Sequence, residues 1–132
     1  MEYKSILIVE DDPDLNYTLV NILEMHGFEN QIIVMKNGAE ALDYLFLQSG
    51  IQTGRNLPSL IILDINMPKI DGLQVLATIR DIETTKKIPV LIITSSILPQ
   101  DIERATRYGA NDYLVKPLDI DNFIKTVKSY VE

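Results

Sequence analysis

No cysteine occurs anywhere in the chain, which excludes disulfides, thiolate catalysis and Cys-ligated zinc. Histidine is nearly absent as well: His26 stands alone and cannot build a histidine-rich metal site. Any metal bound here must be one that prefers oxygen. Positive charge is in short supply, with 12 Lys and Arg against 19 Asp and Glu and a formal net charge of −7. Such a surface repels a nucleic-acid backbone or an anionic membrane, so neither direct DNA binding nor membrane association is expected. Long apolar runs are missing too. The N-terminal stretch MEYKSILIVEDD has a short apolar run followed at once by acids. That is neither a signal peptide nor a membrane span, and the cytosol is the expected compartment.

What remains is a chain of 132 residues with 46% hydrophobic content, enough for a single domain over residues 1–132 with its own core and little room for a second. Five short apolar runs read as strands: Ile6 to Val9, Ile32 to Met35, Leu60 to Leu63, Val90 to Ile93 and Tyr113 to Val115. The runs are nearly continuous and rich in Ile, Val and Leu, as in strands covered on both faces of a parallel sheet.

Helical periodicity fills the gaps. After Asp12 as N-cap and Pro13 at the first helical position, Leu15, Leu19, Ile22 and Leu23 recur until Gly27 stops the pattern. Leu42, Leu45 and Phe46 mark a second helix after Asn37 and Gly38, and Val75, Leu76 and Ile79 a third beginning near Asp71 and Gly72. A fourth starts after Pro99, carries Ile102 and Ala105 inward and ends at Tyr108 and Gly109, where glycine supplies the left-handed cap. In the fifth, Phe123, Ile124, Val127, Tyr130 and Val131 share one stripe. Five strand–helix alternations with right-handed crossovers predict a doubly wound α/β sheet with ligand sites beyond the carboxyl ends of its strands. The polar stretch from Gln48 to Pro58 reads as a long loop rather than a domain boundary.

The strand ends carry the chemistry. Glu10, Asp11 and Asp12 follow the first strand, and Asp64, Asn66, Met67 and Pro68 follow the third. A lone acid there is as often a helix cap or a solvated group as a functional one. First and third strands are neighbours in such a sheet, however, so Asp11 and Asp64 crowd like charges and need a cation to offset them. Oxygen donors without His or Cys suit Mg²⁺ or Mn²⁺, which are commonly held by one or two carboxylates together with a phosphate. Thr94, Ser95 and Ser96 end the fourth strand and offer donors to an anion; Lys116 and Pro117 follow the fifth. A carboxylate, a divalent cation, a hydroxyl and an ammonium are the parts of phosphoryl transfer, with the central Asp64 as the natural nucleophile.

The motifs ILIVEDDP, LIILDINMPKIDG, VLIITSS and YLVKPL, in that order, resemble the receiver domain of two-component response regulators across essentially the whole chain. Their spacing agrees: Asp64 to Thr94 is 30 residues (94 − 64) and Thr94 to Lys116 is 22 (116 − 94). The resemblance implies a flavodoxin-like five-stranded parallel sheet of strand order 2-1-3-4-5 with five helices. It implies Asp64 as phosphoacceptor and Glu10 and Asp11 as the acidic pair for Mg²⁺ (or Mn²⁺), Asp11 directly and Glu10 through water. Asn66 would ligate through its backbone carbonyl, its side chain tuning dephosphorylation. Thr94 resembles the switch hydroxyl, Lys116 the cation for another phosphoryl oxygen, and Tyr113 the aromatic switch that follows Thr94; a plain strand tyrosine with a wet hydroxyl is the competing account. Pro117 is expected to follow a cis bond.

The implied function is a stand-alone response regulator that takes a phosphoryl group from a sensor histidine kinase or phosphotransfer protein and signals to a separate effector or relays phosphate. It would catalyse its own modification rather than act as a dedicated turnover enzyme. No output domain is expected. The protein would be a monomer or a dimer through the face of the fourth helix, fifth strand and fifth helix. From Asp11 to Asp64 is 53 residues (64 − 11), longer than the family norm, with the excess in the Gln48 to Pro58 loop; small receivers paired with phytochrome-type histidine kinases have a similar loop.

Three rival readings fare worse. A flavodoxin-like electron carrier wants a hydroxyl- and Gly-rich loop after the first strand, where this chain has EDDPD, which repels a flavin phosphate. An Mg²⁺ phosphatase acting through an aspartyl phosphate wants an Asp two residues after the nucleophile, where Asn66 stands. A degenerate receiver that only binds proteins would not need Glu10, Asp11, Asp64, Thr94 and Lys116 together.

Overall fold

A computed structural model of the chain describes residues 5–49, 57–67 and 70–131. Strands and helices alternate as β1 (Ser5–Val9), α1 (Pro13–Met25), β2 (Gln31–Met35), α2 (Gly38–Ser49), β3 (Leu60–Leu63), α3 (Gly72–Asp81), β4 (Val90–Thr94), α4 (Pro99–Arg107), β5 (Asp112–Val115) and α5 (Ile120–Val131). All strand pairs are parallel, in the order β2-β1-β3-β4-β5. The fold class and strand order are those expected. Of the Gln48 to Pro58 stretch, Gln48 and Ser49 belong to α2 rather than to a loop; its residues 50–56, and Pro68 and Lys69 of the second motif, lie outside the described residues.

The apolar runs conceal a period of two. Leu7, Val9, Ile61, Leu63, Val90 and Ile92 point to one face, where they pack with Ala41 and Leu45 of α2, Val75, Leu76 and Ile79 of α3 and Ala105 of α4. Ile6, Ile8, Leu60, Ile62, Leu91 and Ile93 point to the other, against Leu19 and Leu23 of α1 and Phe123, Ile124 and Val127 of α5. Both faces are apolar because both are covered by helices, and each large side chain buried this way contributes roughly 1.5–3 kcal/mol.

Three expectations need correction. β2 and β5 are edge strands, so their residues are only partly covered, whereas β1, β3 and β4 are buried throughout. Ile102 does not point inward but is 40% exposed, leaving Ala105 as the buried residue of α4. Phe46 is 56% exposed beside the buried Leu45. Periodicity finds a stripe but not its width, and α2 and α4 each bury a narrower one than their apolar residues suggest.

Local signals place the helix ends. The Asp12 carboxylate accepts from the Asp14 amide at 3.0 Å, with Pro13 opening α1, and Asp71 Oδ1 accepts from the Gln74 amide at 2.9 Å. Gly109 stops α4 at φ 96°, a left-handed conformation that glycine adopts without Cβ strain. At the end of the sheet away from the strand termini that carry the acids, Arg80 ties three segments together. Its guanidinium donates to the carbonyls of Lys86 (3.0 Å), Ile88 (2.7 Å) and Gly109 (2.9 Å) and to Asn111 Oδ1 (3.0 Å), a use of the planar fork that lysine does not match.

Candidate functional site

Glu10, Asp64 and Lys116 each sit one position beyond a strand but are still held by the sheet, while Thr94 is the last residue of β4. Glu10 N donates to Met35 O (3.1 Å), Asp64 N to Val9 O (3.0 Å) and Lys116 N to Thr94 O (2.8 Å). Three side chains from β1, β3 and β5 are thereby aimed across the same edge from fixed main chain. Gly72 seats the segment after Asp64: a Cβ there would lie 2.2 Å from Asp64 O and 2.5 Å from Ile65 Cα. Only glycine permits that approach.

Glu10 and Asp64 are 1% and 3% exposed. Among the described residues, one carboxylate oxygen each from Glu10, Asp11 and Asp64 lie within 4.8 Å of one another. Lys116 offsets part of that charge, its ammonium donating to Glu10 Oε1 at 2.8 Å and Asp64 Oδ2 at 3.1 Å. The second carboxylate oxygens of Glu10 and Asp64 take main-chain donors, Asp12 N to Glu10 Oε2 and Asn66 N to Asp64 Oδ1, both at 3.0 Å. Three carboxylates against one ammonium leave the cluster short of positive charge. The donor set is all oxygen, which fits a hard divalent cation.

The electrostatics follow from this crowding. Burial pulls the Lys116 pKa down, but the Glu10 hydrogen bond and the charge of Asp64 outweigh it and hold the ammonium above the ordinary lysine value. Asp11 is pushed above the usual carboxylate range by its partial desolvation and by the neighbouring Glu10 carboxyl. Burial raises the Tyr113 phenol, which the Ser96 hydrogen bond only partly reverses, so it is a protonated donor at neutral pH.

The hydroxyl side of the site is reached through Asn66, whose Nδ2 donates to the fully buried Thr94 Oγ1 at 3.1 Å. Ser96 N also donates to Thr94 Oγ1, at 3.2 Å, and the Tyr113 hydroxyl donates to Ser96 O at 2.9 Å. Thr94 and Tyr113 therefore meet at Ser96. Tyr113 is half-buried and bonded rather than wet. Ser96, expected among the donors to an anion, has its hydroxyl committed to Asp101 Oδ2 at 2.6 Å; hydroxyl-rich sequence does not tell whether a nearby acid has already claimed the proton. The Lys116–Pro117 peptide bond is cis.

Sequence reasoning missed Asn16, whose buried amide donates to Glu10 O at 2.8 Å and braces the turn into α1. Its signal was a polar residue beside the apolar stripe of α1. Asp101 was missed because nothing local to α4 links it to Ser96.

The sequence profile of the response regulator receiver domain matches residues 6–128. A probable methanogenesis regulatory protein, FilR2, of Methanothrix harundinacea is 38% identical over 127 residues, spanning 96% of this chain and 81% of that protein. Among solved structures, the bacteriophytochrome response regulator AtBRR aligns with a TM-score of 0.79 at 36% identity, covering 98% of this chain and 94% of the other. A manganese-bound form of response regulator Rcp1 aligns with a TM-score of 0.79 at 31% identity, covering 96% and 90%.

Proposed function

The chain belongs to the response regulator receiver domain family, and from that premise we propose that Asp64 accepts a phosphoryl group from a phosphohistidine of a sensor kinase or phosphotransfer protein. The observation that carries this reading is the buried Asp64 carboxylate, bonded to Lys116 and grouped with the Glu10 and Asp11 carboxylates. In the proposed step an Asp64 oxygen attacks phosphorus as the P–N bond to the donor imidazole breaks. An acyl phosphate forms and neutral histidine leaves after taking up a proton.

Lys116 Nζ, already at Asp64 Oδ2, turns to a phosphoryl oxygen, and the Thr94 hydroxyl takes another. Preorganised positive charge and donors of this kind are the main source of rate in phosphoryl transfer. A divalent cation, Mg²⁺ or Mn²⁺, held by Glu10, Asp11, Asp64 and the Asn66 backbone carbonyl would neutralise charge on the transferred group. Tyr113 follows Thr94 and carries the change to the α4–β5–α5 face, where a separate effector or a second copy would read it.

Autophosphorylation is a general property of the family, and the reading makes this chain a cytosolic regulator rather than a turnover enzyme. Among the described residues no helix is long and apolar enough to cross a membrane. Incubation with acetyl phosphate and Mg²⁺ tests the reading by mass spectrometry: the expected result is a labile gain of one phosphoryl group that Asp64→Asn abolishes. No adduct on the native chain, or one that survives Asp64→Asn, overturns it.

A further inference from the structure

Asn16 breaks the pattern of its helix. It is buried with Leu19 and Leu23 on the inner side of α1, yet it carries an amide where an apolar side chain would pack without penalty. The orientation of that amide is fixed, because Nδ2 lies 2.8 Å from the Glu10 carbonyl oxygen, which can only accept. Asn16 Oδ1 is therefore left buried with no hydrogen-bond partner among the described residues, a standing cost in stability. A local rule broken at such a cost points to a function.

What the amide holds is the main chain beside Asp11. The direction in which a side chain leaves the chain follows from φ and ψ, and these are set by the two peptide planes that flank the residue. Asn16 Nδ2 fixes the Glu10–Asp11 plane through Glu10 O. Glu10 Oε2 fixes the Asp11–Asp12 plane through Asp12 N at 3.0 Å, while Glu10 Oε1 accepts from Lys116. Asp11 needs this support more than its neighbours do. It is the exposed member of the carboxylate group, whereas Glu10 and Asp64 are buried and bonded to Lys116. From this bracket we infer that Asn16 is a positioning residue for divalent-cation binding, aiming Asp11 at the site that it shares with Glu10 and Asp64. The helical bond from Asn16 N to Asp12 O survives a change of side chain, so the effect on Asp11 rests on the amide alone.

The inference rests on Glu10, Asp11 and Asp64 being the cation ligands, and the test separates the two. Mn²⁺ binding followed by electron paramagnetic resonance reads the site without any turnover. Asn16→Leu keeps the number and branching of the side-chain heavy atoms and deletes both the donor and the unpartnered acceptor. It is expected to bind Mn²⁺ about tenfold more weakly than the native chain, with a Tm in chelator no more than about 4 °C lower. Asn16→Ala should lose the same affinity although it leaves a cavity and melts lower than Asn16→Leu. Affinity would then follow the amide and not the stability. Mn²⁺ affinity within about twofold of native in both variants would overturn the inference and leave Asn16 a merely structural residue. A loss in Asn16→Ala that Asn16→Leu restores would overturn it too, by making volume the cause. A native chain that binds no Mn²⁺ would refute the ligand reading itself and the inference with it, whereas native binding that both variants share refutes the inference alone.

Discussion

Replacing Lys116 by Met removes the ammonium and keeps most of the side-chain stem. The Glu10 and Asp64 side chains, 1% and 5% exposed, then face each other with Asp11 and without the Lys116 ammonium that was bonded to both. Breaking a buried pair by deleting one partner typically costs 3–5 kcal/mol; because the Lys116 side chain is 24% exposed, the expected loss is nearer 3 kcal/mol. For a domain of this length that corresponds to a Tm lower by roughly 10 °C.

The sign with pH is set by Lys116. Its folded pKa is raised, so its stabilisation is complete below the ordinary lysine value and is lost only as pH rises through the folded value. The full cost of the substitution is therefore present at neutral pH. A divalent cation would replace the missing charge, and a tenfold gain in Mg²⁺ affinity adds about 1.4 kcal/mol, or about 5 °C, to the variant's response over the native one at saturating Mg²⁺. Thermal melts by circular dichroism, in chelator and in Mg²⁺, measure both. Melting of Lys116→Met within about 2 °C of the native chain in chelator, or equal Mg²⁺ increments for the two, would refute the charge-balance argument.

Gly72→Ala is expected to cost about 3 kcal/mol in chemical denaturation, because the new Cβ meets backbone rather than a movable side chain. It should also slow acetyl phosphate labelling by displacing Asp64; native stability with native labelling would refute the close-packing account. Tyr130 donates a hydrogen bond to Asp112, and its phenol is pushed up to about 12 by burial and by the Asp112 carboxylate. A raised folded pKa means that this stabilisation is present below the ordinary tyrosine value near pH 10 and is lost as pH rises from there toward 12. Ultraviolet titration should show Tyr130→Phe removing a tyrosine that ionises near 12, and denaturation over the same window should show a shallower loss than in the native chain.

The chain's local chemistry was readable where one residue acts on its own backbone or in a repeating pattern. Asp12 and Asp71 cap their helices as their side chains predict, Gly109 takes the positive φ that its position after α4 requires, and the buried strands follow from unbroken Ile, Val and Leu. The misreadings share one cause. Ile102 and Phe46 fall on apolar stripes, but the width of a stripe that is covered depends on how closely the neighbouring helices pack. β2 and β5 look like β1, β3 and β4 in composition, yet only strand order decides which are edges.

By itself, then, the sequence determined the element types, the doubly wound sheet and the acids, hydroxyl and lysine at the strand ends, because these depend on local propensity, hydrophobic period and motif spacing. Tertiary structure alone decided the partners. Lys116 lies 52 residues from Asp64 and 106 from Glu10, and Arg80 closes gaps of 29 and 31 residues to Gly109 and Asn111. Ser96 and Asp101 are close in sequence, but their bond requires the connection between β4 and α4 to fold back on the first turn of α4. A hydrogen bond or charge pair is a matter of ångströms, and only the packed sheet fixes distances at that scale between residues so far apart along the chain.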